Sequence, residues 1–349
     1  MGKVVVAVLA GVVVIVGGVL AYQVYRDKMA RDRGAATQPG AMQPLAMRPP
    51  GGDQRGAREA GPPPTGGQTQ PTEPPAPPAP VLLAQARAAR TDKERLEILE
   101  RLARAHPLRP EATEARDTLL KAYRAANDQY GIRNTLSAML WKGLPDAREA
   151  ELKREIATLN EALIFSARAS PDGEMYVIKP GDALDRISPK HQVTSAFLQR
   201  LNRIRDPKKI RFGDTMKVIN GPFDVLVELG KYRLTVFLRG HFVREYRIGI
   251  GKDEATPAGT FEVKDKLTNP TWYGPEGEVI AADDPKNPLG ERWIGIAGTA
   301  GRGYGIHGTI EPESVGTACS RGCIRMIEKD VEEVYDFVIP KLSHVTIVK

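Results

Sequence analysis

The chain is 349 residues long and carries a net charge of +7, with 28 prolines and 34 glycines spread unevenly and only two cysteines. That length has room for two or three ordinary domains. The mild positive balance fits attraction to an anionic polymer, but no nucleic-acid-reading motif accompanies it, which argues against a nucleic-acid partner. Cys319 and Cys323 are too few for a disulfide scaffold, and a zinc site would have to recruit distant histidines from among His106, His191, His241, His307 and His344.

Residues 1–25 read as a transmembrane anchor or signal-anchor. Val4 to Tyr22 is free of charge, and a stretch of that length spans a bilayer core as a helix. Lys3 precedes it and Arg26, Lys28, Arg31 and Arg33 follow, so flanking charge does not fix its orientation. A signal-peptidase site at Val19-Leu20-Ala21 is the alternative, and either reading puts the remainder outside the cytoplasm. Residues 26–80 form a Pro/Gly-rich linker with 13 prolines between Pro39 and Pro80. Such a composition buries too little apolar surface to offset its ordering entropy, so an extended, disordered tether is expected.

Residues 81–168 turn rich in Ala, Leu, Glu and Arg. Leu96, Leu99 and Leu102 share a helical face before a stop at His106-Pro107. A second run carries Ala115, Leu119, Ala122 and Tyr123, and a third Leu152, Ile156, Leu159 and Leu163. The run is weakly similar to tetratricopeptide repeats without a clean 34-residue period. An α-helical spacer is expected, or a docking module with a protein partner of its own.

Within residues 174–220 the order is strand, two short helices, strand. Tyr176-Val177-Ile178 leads into the turn Lys179-Pro180-Gly181-Asp182. Leu184 to His191 and Ser195 to Leu201 are helical, and Met216 to Ile219 returns as a strand. With Ile187, Asn202 and Lys209-Ile210-Arg211-Phe212-Gly213-Asp214, this βααβ module resembles LysM. Ala183 stands where a capping Thr or Ser is usual, a loss of about 1 kcal/mol. The resemblance implies binding of N-acetylglucosamine-containing glycan, with Gly181, Asp182 and Asn202 as candidate contacts. A module that only spaces domains is the alternative.

From residue 223 to 349 strand signals dominate: Val225, Val227 and Leu229 alternate, as do Leu234, Val236 and Leu238, and Arg239-Gly240 makes a turn. A mainly-β, antiparallel domain is expected, with a helix over Glu328 to Val338 after the active-site loop and a last strand over His344 to Val348. It contains Ile306-His307-Gly308-Thr309 and, downstream, Ser320-Arg321-Gly322-Cys323-Ile324-Arg325. A free thiol near pKa ~8.5 is only a few per cent ionised at neutral pH, so a neighbouring imidazole that takes the proton makes it a nucleophile. Arg321 and Arg325 would favour the thiolate. Gly322 allows close backbone approach, and the Gly322 and Cys323 amides could face a developing oxyanion.

These segments, with Thr256-Pro257-Ala258-Gly259-Thr260-Phe261 and Asn287-Pro288-Leu289-Gly290-Glu291-Arg292-Trp293-Ile294-Gly295, resemble the L,D-transpeptidases. The resemblance covers essentially the whole of residues 223–349. It implies acyl transfer: Cys323 attacks the carbonyl of the third residue of a tetrapeptide stem, D-Ala leaves, and a stem amine resolves the thioester into a 3→3 cross-link. His307 would be the proton donor and acceptor, Ser320 would orient it and Arg325 would support the loop. Tyr304, Thr309 and Arg321 are candidate substrate contacts, and Trp272 and Tyr273 a candidate flap. Many family members carry a second histidine where this chain has Arg321, which leaves base duty to His307. No metal or organic cofactor is implied. Expected partners are peptidoglycan and the membrane, in a bacterial cell envelope with the catalytic domain outside the cytoplasm. An L,D-carboxypeptidase, an enzyme attaching protein to the wall, and a non-catalytic LysM tether are the alternatives. Cys319 is read as a small apolar loop residue, with a Cys319–Cys323 disulfide or a metal pair as alternatives.

Overall fold

The computed structural model describes residues 76–140, 144–274, 276–297 and 303–349. The expected membrane segment and nearly all of the expected linker lie outside these residues. Among the described residues no helix is long and apolar enough to cross a membrane.

Five helices come first: α1 (Ala79–Ala88), α2 (Asp92–Ala105), α3 (Pro110–Ala125), α4 (Gln129–Met139) and α5 (Asp146–Leu163). Their starts follow local chemistry. Thr91 caps α2 by accepting from Glu94 N–H, Asp128 caps α4 by accepting from Gly131 N–H, and α1 and α3 carry proline in their first turn. Leu99, Leu102, Ala115 and Leu119 bury themselves against Leu82 and Ala86 of α1, so the stripes expected from spacing are real packing faces.

The LysM-like unit consists of β1 (Gly173–Val177), α6 (Leu184–Ile187), α7 (Ser195–Asn202) and β2 (Thr215–Ile219), with β1 and β2 antiparallel. Ala183 precedes α6 without a side-chain cap, as its residue type requires.

The last unit contains β3 (Phe223–Glu228), β4 (Arg233–Leu238), β5 (His241–Arg247), β6 (Ile250–Gly251), β7 (Gly259–Thr268), β8 (Trp272–Tyr273), β9 (Val279–Ile280), β10 (Arg292–Ile296), β11 (Gly305–His307), β12 (Ala318–Ser320), β13 (Ile324–Arg325), α8 (Glu328–Phe337) and β14 (His344–Val348). Eight of these strands form one sheet, ordered β13-β11-β10-β7-β14-β3-β4-β5. Its pairs are antiparallel except β14 with β3 and β11 with β13. The helix after the active-site loop falls where the sequence places it, and Val331, Val334 and Phe337 seal one face of the sheet.

The opposite face departs from expectation. Val225 and Val227 of β3 point into the α8 side, but Leu226 between them is also buried, among Leu136, Leu152 and Ile156. Phe237 and Phe242 join it there. Strands covered on both faces read as continuous apolar runs, and the helical segment is that second cover. It is therefore no free-standing spacer. Burying Leu226, Phe237 and Phe242 contributes roughly 6 kcal/mol as an upper estimate. The helices also close the exposed edge of β5: Asn160 Nδ2 donates to the carbonyls of Phe242 (2.9 Å) and Val243 (3.2 Å), and Phe242 N–H donates to Ser137 Oγ.

The three units meet at a polar joint. Arg133 of α4 donates to Asp172 at 2.7 Å, with the two side chains 0% and 1% exposed, and Arg239 reaches the same carboxylate at 3.1 Å. Lys217 of β2 is buried and caps α5 by donating to the Leu163 carbonyl at 2.6 Å; burial lowers its pKa to about 8. On the other side, Phe197 of α7 packs with Phe223 and Phe337 at ring separations of 5.1 and 5.7 Å, and Arg200 pairs with Asp336 at 2.6 Å.

Candidate active site

The site forms at the β11–β13 end of the sheet. Ile306 lies opposite Ile324 and His307 opposite Arg325 in a parallel ladder. Both isoleucines are buried in the core, so alternation puts His307 and Arg325 on the other face. Cys323, two residues before Arg325 and immediately before β13, falls on that same face. Its Sγ lies 3.7 Å from the Gly303 carbonyl.

His307 is 4% exposed. Its Nδ1 lies 2.6 Å from the Gly308 carbonyl. A carbonyl only accepts, so Nδ1 carries the proton and Nε2 is left as the basic nitrogen. The ring stacks on Trp293 of β10, with centroids 5.9 Å apart. Burial pushes its pKa down to about 4; the Gly308 hydrogen bond opposes this and Arg325 reinforces it. Burial likewise pushes the Cys323 thiol up, against the pull of the Gly305 backbone and Arg325. The resting groups on this face are thus a thiol and a neutral imidazole. Of the two arginines expected to favour the thiolate, Arg325 does pull the thiol down, but burial outweighs it. Arg321 is exposed; the guanidinium acting on both groups is that of Arg325.

Ser320 is placed differently from expectation as well. Its Oγ donates to the Cys323 carbonyl at 2.6 Å and accepts from Gly322 N–H at 3.1 Å. It braces the turn that carries Cys323, and the imidazole is oriented by Gly308 and Trp293 instead. The same bond occupies the Gly322 amide expected to face an oxyanion. Gly322 itself has φ +132°, and a Cβ there would lie 2.2 Å from the Tyr304 ring, so the turn accepts no side chain. Arg325 fills its loop role by pairing with Glu311 at 2.7 Å, and Glu311 N–H donates to Thr309 Oγ1 at 3.1 Å.

Thr256, in the Thr-Pro-Ala-Gly segment, is integral to the site although no role is expected for it from sequence. Its buried hydroxyl accepts from Gly251 N–H at 2.8 Å and donates to the Gly322 carbonyl at 2.9 Å. The Thr-Pro signal preceding a strand was the available clue.

Cys323, His307, Gly322, Ser320, Arg325, Thr309 and Tyr304 come together. Trp272 and Tyr273 sit on the β8–β9 hairpin, where Tyr273 is 75% exposed. Asn287 closes the base of that hairpin, donating to the carbonyls of Pro270 (2.8 Å) and Ala281 (3.2 Å). In the LysM unit, Gly181 is exposed in its turn with φ +79°. The Asp182 carboxylate accepts from Tyr176 OH and Lys179 N–H, both at 2.8 Å. Asn202 is spent on structure: its amide donates to the Leu198 and Lys217 carbonyls and accepts from Lys217 N–H. This corrects its assignment as a glycan contact. Cys319 is a free thiol, 3.8 Å from Arg325 Nη1.

A half-buried cysteine and a neutral histidine thus lie on one face of a β-sheet, the cysteine in a turn braced by backbone and hydroxyl bonds. The profile of the L,D-transpeptidase catalytic domain matches residues 222–347, and that of the LysM domain matches residues 176–218. The Bacillus licheniformis protein YkuD, provisionally named an L,D-transpeptidase, is 30% identical over 50% of this chain and 98% of its own length. Its Bacillus subtilis counterpart is 31% identical over 49% and 97%. The solved L,D-transpeptidase from Mycobacterium smegmatis is 18% identical with a TM-score of 0.30, covering 39% of this chain and 64% of that one. The chain belongs to the L,D-transpeptidase family and carries a LysM domain.

Proposed function

We propose that this protein is a peptidoglycan L,D-transpeptidase with Cys323 as nucleophile and His307 as its base. The observation that carries the reading is the His307 Nδ1–Gly308 bond, which leaves a neutral, basic Nε2 on the face shared with Cys323. In the acylation step the sulfur attacks the carbonyl of the third stem residue while its proton passes to Nε2. The Cys323 N–H serves the oxyanion, since Gly322 N–H is already bonded to Ser320. The amide bond to D-Ala breaks, and Nε2 returns the proton to the departing amine. A stem amine then attacks the thioester, gives its proton to Nε2, and the thiol is restored as the 3→3 cross-link forms. Water or a protein lysine as acceptor would make the carboxypeptidase or wall-attachment outcome through the same acyl-enzyme.

The uncharged Val4–Tyr22 stretch and the proline-rich tract after it support a membrane-anchored enzyme whose catalytic domain lies outside the cytoplasm in a bacterial envelope. Recovery of the full chain in the soluble fraction after alkaline extraction would refute the anchor. The test of activity is intact mass spectrometry of the protein mixed with a disaccharide-tetrapeptide. A covalent adduct on Cys323 with released D-Ala supports the reading. A folded, reduced protein that forms no adduct overturns it in favour of a wall tether.

A further inference from the structure

The LysM unit is unusually cationic. Residues 174–220 contain ten Lys and Arg against five Asp and Glu, so this short module holds five of the chain's net +7. Two of its cations are structural, Lys217 being buried and Arg200 paired with α8. The rest concentrate in the loop after α7, where Arg203, Arg205, Lys208, Lys209 and Arg211 are all exposed. Of the two acids in this loop, Asp214 stands at its end, and Asp206 is occupied: its carboxylate accepts from Lys208 N–H at 3.0 Å and lies 3.6 Å from Lys209 Nζ. Arg203, Arg205, Lys208 and Arg211 have no carboxylate partner among the described residues.

The end of this loop is laid against the β1 turn. Gly213 N–H donates to the Ile178 carbonyl, and Ile178 N–H donates to the Asp214 carbonyl. That brings Arg211 and Phe212 beside exposed Lys179. Phe212, at 72% exposure, is an apolar ring set in a cationic rim. Unpaired cations on one loop self-repel, and an exposed aromatic gains nothing from water; both features make sense against a ligand with sugar rings and negative charge.

We propose that this rim makes the LysM unit a reader of stem-bearing glycan: Phe212 lies against a sugar ring while Lys179, Arg203, Arg205 and Arg211 engage the free carboxylates of the peptide stems. The proposal rests on the reading of this chain as an enzyme of peptidoglycan stems, which supplies the charge complementarity. It would deliver the enzyme preferentially to strands that still carry substrate.

The test uses the full chain in detergent with Cys323→Ala, so that no thioester forms. Binding is measured to glycan strands bearing stems, to the same strands freed of stems by an amidase, and to chitohexaose. The expected result is a preference for stem-bearing strands that shrinks as salt rises from about 0.05 to about 0.5 M. Arg203→Glu with Arg205→Glu and Arg211→Glu should weaken stem-bearing binding about tenfold and leave stem-free binding unchanged. The matching Arg→Lys triple should keep the preference. Equal binding of both strand types by the Cys323→Ala chain carrying the native arginines overturns the proposal. So does a preference for a phosphodiester polymer or an anionic vesicle over stem-bearing glycan. The acyl-enzyme assay on the native protein is read separately, so failure here and failure of the catalytic reading are distinguishable.

Discussion

The hydroxyl of Thr256 donates to the carbonyl of Gly322 at 2.9 Å, joining residues 66 positions apart directly behind the candidate nucleophile. The same oxygen accepts from Gly251 N–H, and a Cβ on Gly251 would come within 2.8 Å of the Gly322 Cα. Strand β6 thus lies against the Cys323 turn with Thr256 as its clasp. Thr256→Val keeps the shape but leaves the Gly322 carbonyl and Gly251 N–H unpaired. Acylation should slow about 100-fold, the scale of a misplacement near 1 Å, with KM little changed. Thr256→Ser should recover most of the rate. Stopped-time mass spectrometry of the adduct checks both, and a Thr256→Val rate equal to the native one would remove Thr256 from the machinery.

Cys323 and His307 were legible in the sequence because their chemistry is carried by rare residue types inside dense local motifs. Thr256 was not, because its task is a hydrogen bond between two loops far apart in sequence, and the Thr-Pro pair signals a turn without naming the partner. Ser320 and Asn202 show the opposite failure: each sits in a suggestive motif, yet its polar atoms are consumed by nearby backbone. The helical stripes were legible from spacing. Their partner was not, since Leu226, Phe237 and Phe242 look like any strand residues until both faces of the sheet are seen to be covered.

The two cysteines should separate cleanly. Cys323 is on the face of His307, whereas Cys319 faces Ser314 and Arg325 at sulfur contacts of 3.7 and 3.8 Å. Cys323→Ala should abolish adduct formation, and Cys319→Ala should retain it within a few-fold. If Cys319→Ala were the inactive variant, the assignment of the nucleophile would be wrong.

His307 should leave a pH signature. Its folded pKa, about 4, lies below the ordinary value near 6.5. The unfolded chain therefore takes up a proton first as pH falls, and stability present above about 6.5 is lost progressively towards 4. The loss is on the order of 3 kcal/mol. Urea melts at pH 7 and pH 4.5 should show this drop in the native protein and a smaller one in His307→Gln. Acylation should keep its neutral base down to about pH 4, so an acid limb near 6.5 in single-turnover rates would contradict the burial of the ring.

The joint between the helices and the rest of the chain can be tested at Asp172. Its carboxylate, 1% exposed, is the counter-charge of fully buried Arg133 and also accepts from Arg239. Removing one partner of a buried pair leaves a desolvated charge uncompensated, at a cost of about 3–5 kcal/mol. Asp172→Ala should lower the unfolding free energy by that amount. Replacing both buried groups, Arg133→Met with Asp172→Leu, should recover most of it, because neither charge then remains to be desolvated. Tryptophan fluorescence and far-ultraviolet circular dichroism should lose their signals in one coincident urea transition, since Leu226, Phe237 and Phe242 tie the helices to the catalytic sheet. Two separate transitions, or an Asp172→Ala protein as stable as the native one, would mean that the helical segment is an independent unit and that its contacts with the sheet contribute little.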